Sequence, residues 1–521
     1  MAQQEGLPSF KELETAGAII GEIRIDTRDV FDLDDPRENN ILFRLANKLH
    51  IQTRPSVVRR TLLFNSGDRL SVQLIEESER LLRDNHYLYD VSIRPVAYHD
   101  GIVDIEVKTR DTWTLTPGVH FSRQGGSNTS GLTLNENNLL GTGISIGLAR
   151  TSDVDRSGNE FSIAQNNAFG SRVNYEFRQG NFSDGKRESF ALARPFYALD
   201  SRWSAGVSAA KSDRIDSLYS GGTIIGQYRH ASDSGSIYGG YSRGLVDGWT
   251  HRFYAGIQYQ DDSYRTDPTL PTPSQVPQDL TQSGPFITYE VIEDDFRKVR
   301  NRDRIERAEY FAMGFNSKVQ LGRAMTELGS TRDLWFYTAN VSDGVAFTQD
   351  RNLLTSAYTN GRYGSNGGEH QFFGAAAKYY SQQSRHTLFF ASISADTVIN
   401  GNAADQLLLG GDNGLRGYPL RYQAGTRRAL LSLEQRAYTE WFPFRLFRVG
   451  GAVFYDVGRA WNGLNQNTAN PGWLSDVGIG LRIPYDRSSS GRVLHVDLAF
   501  PLNREPGIKS RQFLFKTKVS F

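Results

Sequence analysis

Several features that narrow the class of a protein are absent from this chain of 521 residues. It contains no cysteine and only three methionines. It also lacks any apolar run of about 18 residues, the length that a transmembrane helix needs. A chain that crosses a membrane with strands is not excluded, because only alternate residues of such strands face lipid. The lack of cysteine fits an oxidising compartment, where stray disulfides would form.

Charge of one sign is also missing. The 59 basic and 58 acidic residues leave a formal net charge of +1. The chain therefore lacks the excess of positive charge with which proteins bind polyanions, and we expect no nucleic-acid partner. The first residues have neither the basic start nor the apolar core of an export signal. Because Ala2, Gln3 and Gln4 are a plausible mature start, we expect that a signal peptide has been removed and that Met1 replaces it.

Motifs for catalysis or metal binding are equally scarce. The nine histidines show no metal-ligand spacing, and no serine lies in a Gly-x-Ser-x-Gly sequence. Asp32, Asp34 and Asp35 lack the glycine and glutamate of a calcium loop, which favours a solvated turn. We therefore predict no catalytic residue, no metal and no cofactor.

Helical and strand patterns alternate up to residue 112. Residues 18–26 and the hairpin 87–98/102–108 have strand patterns, whereas 56–64, with Ser56 as its cap, and the segment after Ser71 have helical ones. We predict a tail at 1–14 and a small α+β domain at 15–112. An insertion at 30–53 holds one further helix at 41–49.

Beyond Thr112 nearly every segment alternates at period two. The last strand places Phe513, Phe515 and Phe521 on one face and Lys516 and Lys518 on the other, as expected for a wall with an apolar outside and a wet inside. Five such segments follow residue 427. The pattern predicts an antiparallel transmembrane β-barrel at 113–521, with a large soluble all-β protein as the alternative.

A glycine-rich loop at 402–427 interrupts these strands and carries Arg416. By alternation, Asp456 shares a face with Phe454, and Glu434 points to the same side from the preceding strand. A guanidinium with five donors can bridge two carboxylates on neighbouring strands. The alternative for Arg416 is a solvated surface charge.

Two of these motifs and the terminal aromatic residue resemble a known family. The loop LGGDNGLRGYP at 409–419, FYDVG at 454–458 and Phe521 at the chain end together resemble the BamA/TamA superfamily of outer-membrane assembly and translocation proteins. The segment GDRLSVQLIEESERLLRDNHYLYDVSIRP at 67–95 resembles a POTRA module. The resemblance implies sixteen strands, although the number of segments before the loop allows more.

The resemblance also implies roles for individual residues. By this resemblance, the loop motif consists of Arg416, Gly417 and Tyr418. Its partner on the barrel wall is Asp456, with Phe454 and Gly458 on the same strand. Glu434 is a second acceptor for the guanidinium. The terminal assembly signal comprises Phe513, Phe515 and Phe521. These are tether and assembly roles, so the protein is expected not to be an enzyme.

The implied function is insertion or translocation of polypeptides, or of lipid-related cargo, at the bacterial outer membrane with the POTRA in the periplasm. Client strands would add at the barrel seam and at the POTRA edge. Further partners would be outer-membrane lipid and a periplasmic or genetically linked protein. The alternatives are a two-partner-secretion transporter, which needs a second POTRA and a plug helix, and a passive pore or barrel enzyme.

Overall fold

The chain forms a small N-terminal domain followed by a closed β-barrel. The structure is a computed structural model and describes residues 7–273, 275–300, 308–443, 446–462, 472–484 and 493–518. Within these ranges, no helix has the length and apolar character to span a membrane.

The described part of the N-terminal domain contains four helices and a three-stranded sheet. Its elements in chain order are α1 Phe10–Thr15, β1 Ile19–Arg28, α2 Ile41–Leu49, α3 Pro55–Thr61, α4 Val72–Arg83, β2 Leu88–His99 and β3 Ile102–Asp111. The central strand β3 pairs with β1 in parallel and with β2 antiparallel. Alternate residues of β3, such as Val103, Ile105 and Val107, are fully buried beneath α3 and α4 and form the core.

The helix termini follow local capping chemistry. Part of the expected tail forms α1, because Ser9 and Glu12 make a reciprocal capping box. Ser71 caps α4. The predicted cap at Ser56 is wrong: α3 starts at Pro55, whose fixed φ suits the first helical position, and Arg54 precedes it without a side-chain cap.

The barrel contains twenty antiparallel strands. They are β4 Leu115–Gln124, β5 Ser127–Leu139, β6 Ile144–Ser152, β7 Ser157–Ala168, β8 Val173–Phe182, β9 Gly185–Arg194, β10 Trp203–Ser220, β11 Thr223–Val246, β12 Trp249–Arg265, β13 Leu280–Glu293, β16 Asn316–Ala324, β17 Leu334–Ala346, β18 Arg351–Gly364, β19 Gly367–Ser384, β20 Thr387–Ile399, β23 Arg427–Tyr438, β24 Gly450–Trp461, β25 Leu474–Pro484, β26 Val493–Pro501 and β27 Gln512–Lys518. Outside the wall, β14 Phe296–Arg300 pairs with β15 Ala308–Ala312, and β21 Leu407–Leu409 pairs with β22 Gln423–Gly425. A 3₁₀ turn spans Thr326–Leu328.

The expected number of sixteen strands is wrong, whereas the closed antiparallel barrel is confirmed. Fifteen strands precede the loop at 402–427 and five follow it, which gives the twenty. The excess arises because several connections are very short turns. Gly125–Gly126 and Gly221–Gly222, for example, both adopt positive φ, so each extra strand consumes few connecting residues.

The outer wall carries an apolar band that is bounded by a row of aromatic residues at one end and a row of charged residues at the other. One row of exposed aromatic residues runs in register across four strands: Trp203, Tyr241, Phe253 and Tyr289. Two outward rows further along the strands lie exposed Val207, Ile237 and Ile257. Two more rows on, past the row of Ala209, Gly235 and exposed Tyr259, the outward row is charged and consists of Lys211, Asp233 and Asp261. An apolar band with an aromatic girdle is the surface that a transmembrane barrel presents to lipid.

The backbone pairing between neighbouring strands is least extensive at the seam, where the first and last strands of the barrel meet. Among the described residues, β27 and β4 share a single register pair, Phe515 opposite Arg123. Their other neighbours, β26 and β5, pair with them along most of their length. Side chains do bridge this seam: Phe121 packs near Phe515 on the outside, and Lys516 Nζ donates to Gln124 Oε1 at 2.8 Å on the inside.

The N-terminal domain contacts short turns at the aromatic end of the barrel. Arg172 Nη2 donates to the carbonyl of Leu62 at 2.8 Å, and the backbone N–H of Leu199 donates to Glu77 Oε1 at the same distance. Arg80 also lies 3.7 Å above the ring of Phe296. Several connections at this end are short, but β13 and β16 are joined here through the β14–β15 hairpin; the loop 402–427 lies at the opposite end.

Candidate functional site

The site begins with the loop 402–427, which folds back between the barrel walls. Its ends are joined by the β21–β22 hairpin, and its middle buries Leu415 and Tyr418 against Ala460 and Leu474 of the wall. Burial of these apolar side chains holds the loop inward.

Glycine is required at position 417 because the loop touches the wall there. A Cβ at this residue would stand 2.7 Å from Cβ of Asp476 and 3.0 Å from the backbone nitrogen of Pro501. The close approach lets the N–H of Gly417 donate to Asp476 Oδ2 at 2.9 Å. Beside it, the hydroxyl of Tyr418 lies 3.0 Å from the carbonyl oxygens of Ser475 and Asn503.

Arg416 points from the loop into a group of acidic side chains. Its Nε and Nη2 donate to the two carboxylate oxygens of Asp456 at 2.7 and 3.0 Å, and its Nη1 donates to Glu434 Oε2 at 3.2 Å. Burial disfavours the charge of this guanidinium, but the adjacent carboxylates outweigh that effect and raise the pKa of Arg416 above its ordinary value. Arg416 is therefore a permanently charged, bidentate link between loop and wall.

The strand β24 is shaped to receive this guanidinium. Phe454 lies beneath Arg416, whose Cζ is 3.3 Å from the ring centroid, a cation–π geometry. Gly478 on β25 leaves the space that the Phe454 ring fills. Gly458 likewise leaves space for Leu409 of the loop, since a Cβ there would approach Leu409 Cδ2 at 3.0 Å. As the alternation predicts, Val453 is exposed on the opposite face.

Three charged residues beyond the sequence prediction complete the cluster. Arg482 lies with its Nη2 3.4 Å from Glu434 Oε1 and also pairs with Asp497, while Asp497 Oδ2 is 3.8 Å from Arg416 Nη1. Asp476 stands directly across the ladder from Asp456. The alternation of β25 and β26 already places Asp476, Arg482 and Asp497 on the lumenal face. Whether these side chains contact one another depends on the register between neighbouring strands, which cannot be predicted from the sequence.

A second polar link joins the loop to the far end of the barrel. Arg421 pairs with Asp155 in the β6–β7 turn and contacts the hydroxyl of Tyr219 at the end of β10. Hydrogen bonding from Arg421 lowers the pKa of Asp155 below its usual value, so this carboxylate stays ionised. The loop is thus attached both inside the lumen and at its mouth.

The terminal aromatic residues lie partly within the described structure. Phe513 is exposed on the lipid face, and Phe515, half-buried, packs across the seam near Phe121. Phe521 falls outside the described residues, so its predicted role stays a prediction.

The arrangement of charges suits mechanical attachment. Arg416, Arg436, Arg482 and Lys516 face the carboxylates of Glu434, Asp456, Asp476 and Asp497 from the loop and from five adjacent strands. Within the described ranges, no three His, Cys, Asp or Glu side chains converge as they would around a metal ion. Ion pairs from Arg416 to Asp456 and Glu434, with the bond from the Gly417 N–H to Asp476, fix the loop against the wall.

Comparison with known proteins gives a likeness of fold. No protein-family model matches the chain, and no curated protein does either. Among solved structures, CdiB from Escherichia coli is similar with a TM-score of 0.50 and 12% identity, over 97% of this chain and 77% of the other. CdiB from Acinetobacter baumannii gives 0.45 and 12% over 96% and 73%.

A third similar structure is BamA from Haemophilus ducreyi lacking POTRA domains 1–3. It gives a TM-score of 0.41 and 12% identity over 96% of this chain and 85% of the other. At such identities the comparison speaks to fold only. The chain therefore shares the barrel fold of CdiB from Escherichia coli.

Proposed function

We propose that this protein is a non-enzymatic outer-membrane barrel that helps polypeptides insert into, or cross, the bacterial outer membrane. The observation that carries the proposal is the seam between β27 and β4, where the described residues form a single register pair.

The apolar band supports the outer membrane as its location and lipid as its first partner. Trp203 and Tyr241 mark the boundary at the end where the N-terminal domain lies, and Lys211 and Asp233 mark the other boundary. Aromatic residues favour the interface between headgroups and acyl chains. With its short turns on that side, the domain lies in the periplasm.

A poorly paired seam offers backbone donors and acceptors to an incoming strand. Edges of this kind are normally covered or blocked, because they pair readily with other chains. A client segment with strand propensity can add to β4 or β27 by β-augmentation, and the apolar outer residues Phe121 and Phe513 would adjoin its lipid-facing side chains. The seam is therefore the proposed site of insertion.

The N-terminal domain offers a second edge and serves here as the POTRA-like module. In the described sheet β2 is paired on one side only, with β3. Pro95 lacks an N–H and limits strand addition near the middle of this edge, and Arg83 already donates to the carbonyl of Val91. A client or a periplasmic partner would thus have a restricted set of backbone groups to use.

The attached loop favours an assembly role over a passive pore. Arg416 and Tyr418 hold the loop across the lumen, where an open channel would need water. A passive pore also needs neither this loop nor the N-terminal domain. Single-channel recording of the purified protein should accordingly show low conductance that rises when Arg416 is replaced by alanine.

A reversible seam lock tests the proposal directly. Because the chain has no cysteine, the pair Arg123→Cys/Phe515→Cys introduces one disulfide between residues already in register. In cells where this variant is the only copy, we expect oxidation to remove the same outer-membrane and surface polypeptides that deletion of the gene removes. A reductant should restore them.

The control is a disulfide across a ladder that is already continuous. Ile479→Cys/Leu498→Cys joins register partners on β25 and β26 and should leave those polypeptides at wild-type levels in either redox state. Full function of the oxidised seam variant would rule out insertion or passage through the seam. Equal loss in both variants would show that the disulfide harms the barrel and not a specific gate.

A further inference from the structure

The helix α2 presents an apolar face that no described residue covers. Ile41, Leu42, Leu45 and Leu49 are 76%, 71%, 52% and 66% exposed, and Ile51 just beyond the helix is 53% exposed. At helical spacing the first four fall within an arc of about 100°. Exposed side chains of this size in one continuous patch are uncommon on a surface that faces only water.

The opposite face of the helix is fixed, so the apolar face cannot turn inward. Asn47 exchanges hydrogen bonds with the backbone of Phe31 at 2.8 and 3.1 Å, and Phe43 stacks on the Phe31 ring with centroids 3.9 Å apart. Just past the helix end, His50 Nε2 lies 2.8 Å from Asp111 Oδ2 at the end of β3. The helix is thus held in one orientation.

The position of the helix links its apolar face to the lipid-facing wall. The cluster of Val30, Phe31 and Phe43 packs against Trp113 and Leu446. Trp113 stands two residues before Leu115, the first exposed apolar residue of β4. Leu446 belongs to the β23–β24 connection.

That connection also exposes Trp441, by 65%. The helix therefore lies at the rim, between the start of the seam strand β4 and the β23–β24 connection, near tryptophans that favour a membrane interface.

Charge on the helix complements a phospholipid surface. Arg44 and Lys48, one turn apart and both exposed, flank the apolar arc on one side. The helix has no acidic residue. A helix with an apolar arc and basic flanks lies in the plane of a membrane, with apolar side chains among acyl chains and cations near lipid phosphates.

We propose that α2 is an interfacial helix that lies in the periplasmic surface of the outer membrane beside the barrel seam. Its occupant is the phospholipid bilayer: Leu42, Leu45 and Leu49 enter the acyl region, and Arg44 and Lys48 contact phosphates. This inference rests on the proposed outer-membrane location and is independent of whether clients use the seam. It makes the N-terminal domain a membrane-anchored element at the place where the barrel wall is least continuous.

Single-cysteine labelling of the full chain in vesicles tests this placement. Leu45→Cys and Ile102→Cys each receive the same polarity-sensitive fluorophore, in vesicles of phosphatidylethanolamine and phosphatidylglycerol. Ile102 is the matched control, since it is an apolar residue, 49% exposed, at the opposite end of β3 from Asp111. We expect the label at 45 to be quenched by lipids with a headgroup-proximal nitroxide and to be several-fold less accessible to iodide than the label at 102.

A charge variant adds a second readout. Arg44→Gln/Lys48→Gln, in the Leu45→Cys background, should reduce nitroxide quenching in the anionic vesicles and change it little in phosphatidylcholine vesicles. Equal iodide access at positions 45 and 102, in protein whose heat-modifiable migration shows a folded barrel, would overturn the proposal. So would shielding of position 45 that occurs only after periplasmic extract is added, because the occupant would then be a protein. Neither result bears on the seam lock.

Discussion

The buried cation Arg416 fixes the position of the loop in the barrel lumen more than it stabilises the folded protein. Removing a guanidinium from water is costly, and its attraction to Asp456 and Glu434 recovers that cost only with good geometry. The bidentate pair with Asp456 meets that condition. What the pair achieves is a defined location for the loop, where Asp456, Glu434 and the Phe454 ring all contact the guanidinium.

Arg416→Ala should destabilise the folded barrel by about 3 kcal/mol, as expected when one partner of a buried ion pair is removed. The physical reason is that Asp456 and Glu434 lose their common counter-ion. The stability of Arg416→Lys should lie between those of the wild-type protein and Arg416→Ala, because lysine keeps the positive charge but cannot form the bidentate pair of hydrogen bonds. The measurement is the urea midpoint at which heat-modifiable migration disappears.

Arg427→Ala, at an exposed position on the same wall, is the control and should be neutral. The double variant with Asp456→Asn should be less destabilised than the two single effects add up to, because the groups interact directly. Strict additivity would contradict the tether.

At the scale of elements, β27 has little ladder to hold it on one side and depends on β26 and on side chains. Phe513 and Phe515 lie on its outer side, where they contribute apolar surface to the wall. An aromatic end to this strand would add an anchor at the membrane interface. The terminal strand is therefore the element whose loss should most affect closure of the barrel.

Deleting Phe521, or replacing it with aspartate, should lower the amount of folded protein in the membrane several-fold while the N-terminal domain still folds. The readout is the fraction of membrane-associated protein that shows heat-modifiable migration. Phe347→Asp provides the comparison, because Phe347 is exposed in the β17–β18 connection and should tolerate the charge. Wild-type accumulation of the deletion variant would mean that Phe521 has no role in assembly.

How well each strand or helix can be predicted from the sequence depends on whether its side chains alternate between lipid, lumen and solvent in a regular pattern. The five strands after the loop are predictable because Val477, Ile479 and Leu481 alternate strictly with lumenal residues. Helix α2 is predictable with the observed bounds, from its strong apolar periodicity. The number of strands is not, since long polar strands such as β11 resemble a strand plus a loop. The lumenal facing of Asp456 follows from alternation, its pairing with Arg416 is implied by the family resemblance, and the contribution of Asp497 requires the register.

Across the whole molecule, the domain and the barrel are joined through a buried carboxyl group. Glu77 is only 3% exposed and accepts hydrogen bonds from the backbone of Leu199 and from Gln73. Burial raises the pKa of Glu77 above its ordinary value of 4.5, although these bonds and Arg80 oppose the rise. Docking therefore makes ionisation of Glu77 less favourable than it is in water.

The sign of the resulting pH dependence follows from that shift. A carboxyl group whose pKa is raised by folding stabilises the docked domain fully at a pH below 4.5, and this contribution is lost as pH rises through the raised value. We expect the protection factors of the α4 amides, which correct for the intrinsic pH dependence of exchange, to fall across this interval in the wild-type protein and to stay constant in Glu77→Gln. The same pH response in both proteins would assign the dependence to another group.

In the proposed orientation, one side of the barrel wall extends far beyond the outer surface of the membrane. In β11, ten residue steps separate Asp233 in the charged row from Thr223, where the strand begins, and β10 pairs with β11 throughout. At about 3.3 Å per residue, this paired sheet extends roughly 30 Å along its strands beyond the apolar band. An antibody or a phage that approaches this side first encounters a hydrogen-bonded sheet. We therefore expect its epitopes there to be conformational and to disappear on denaturation.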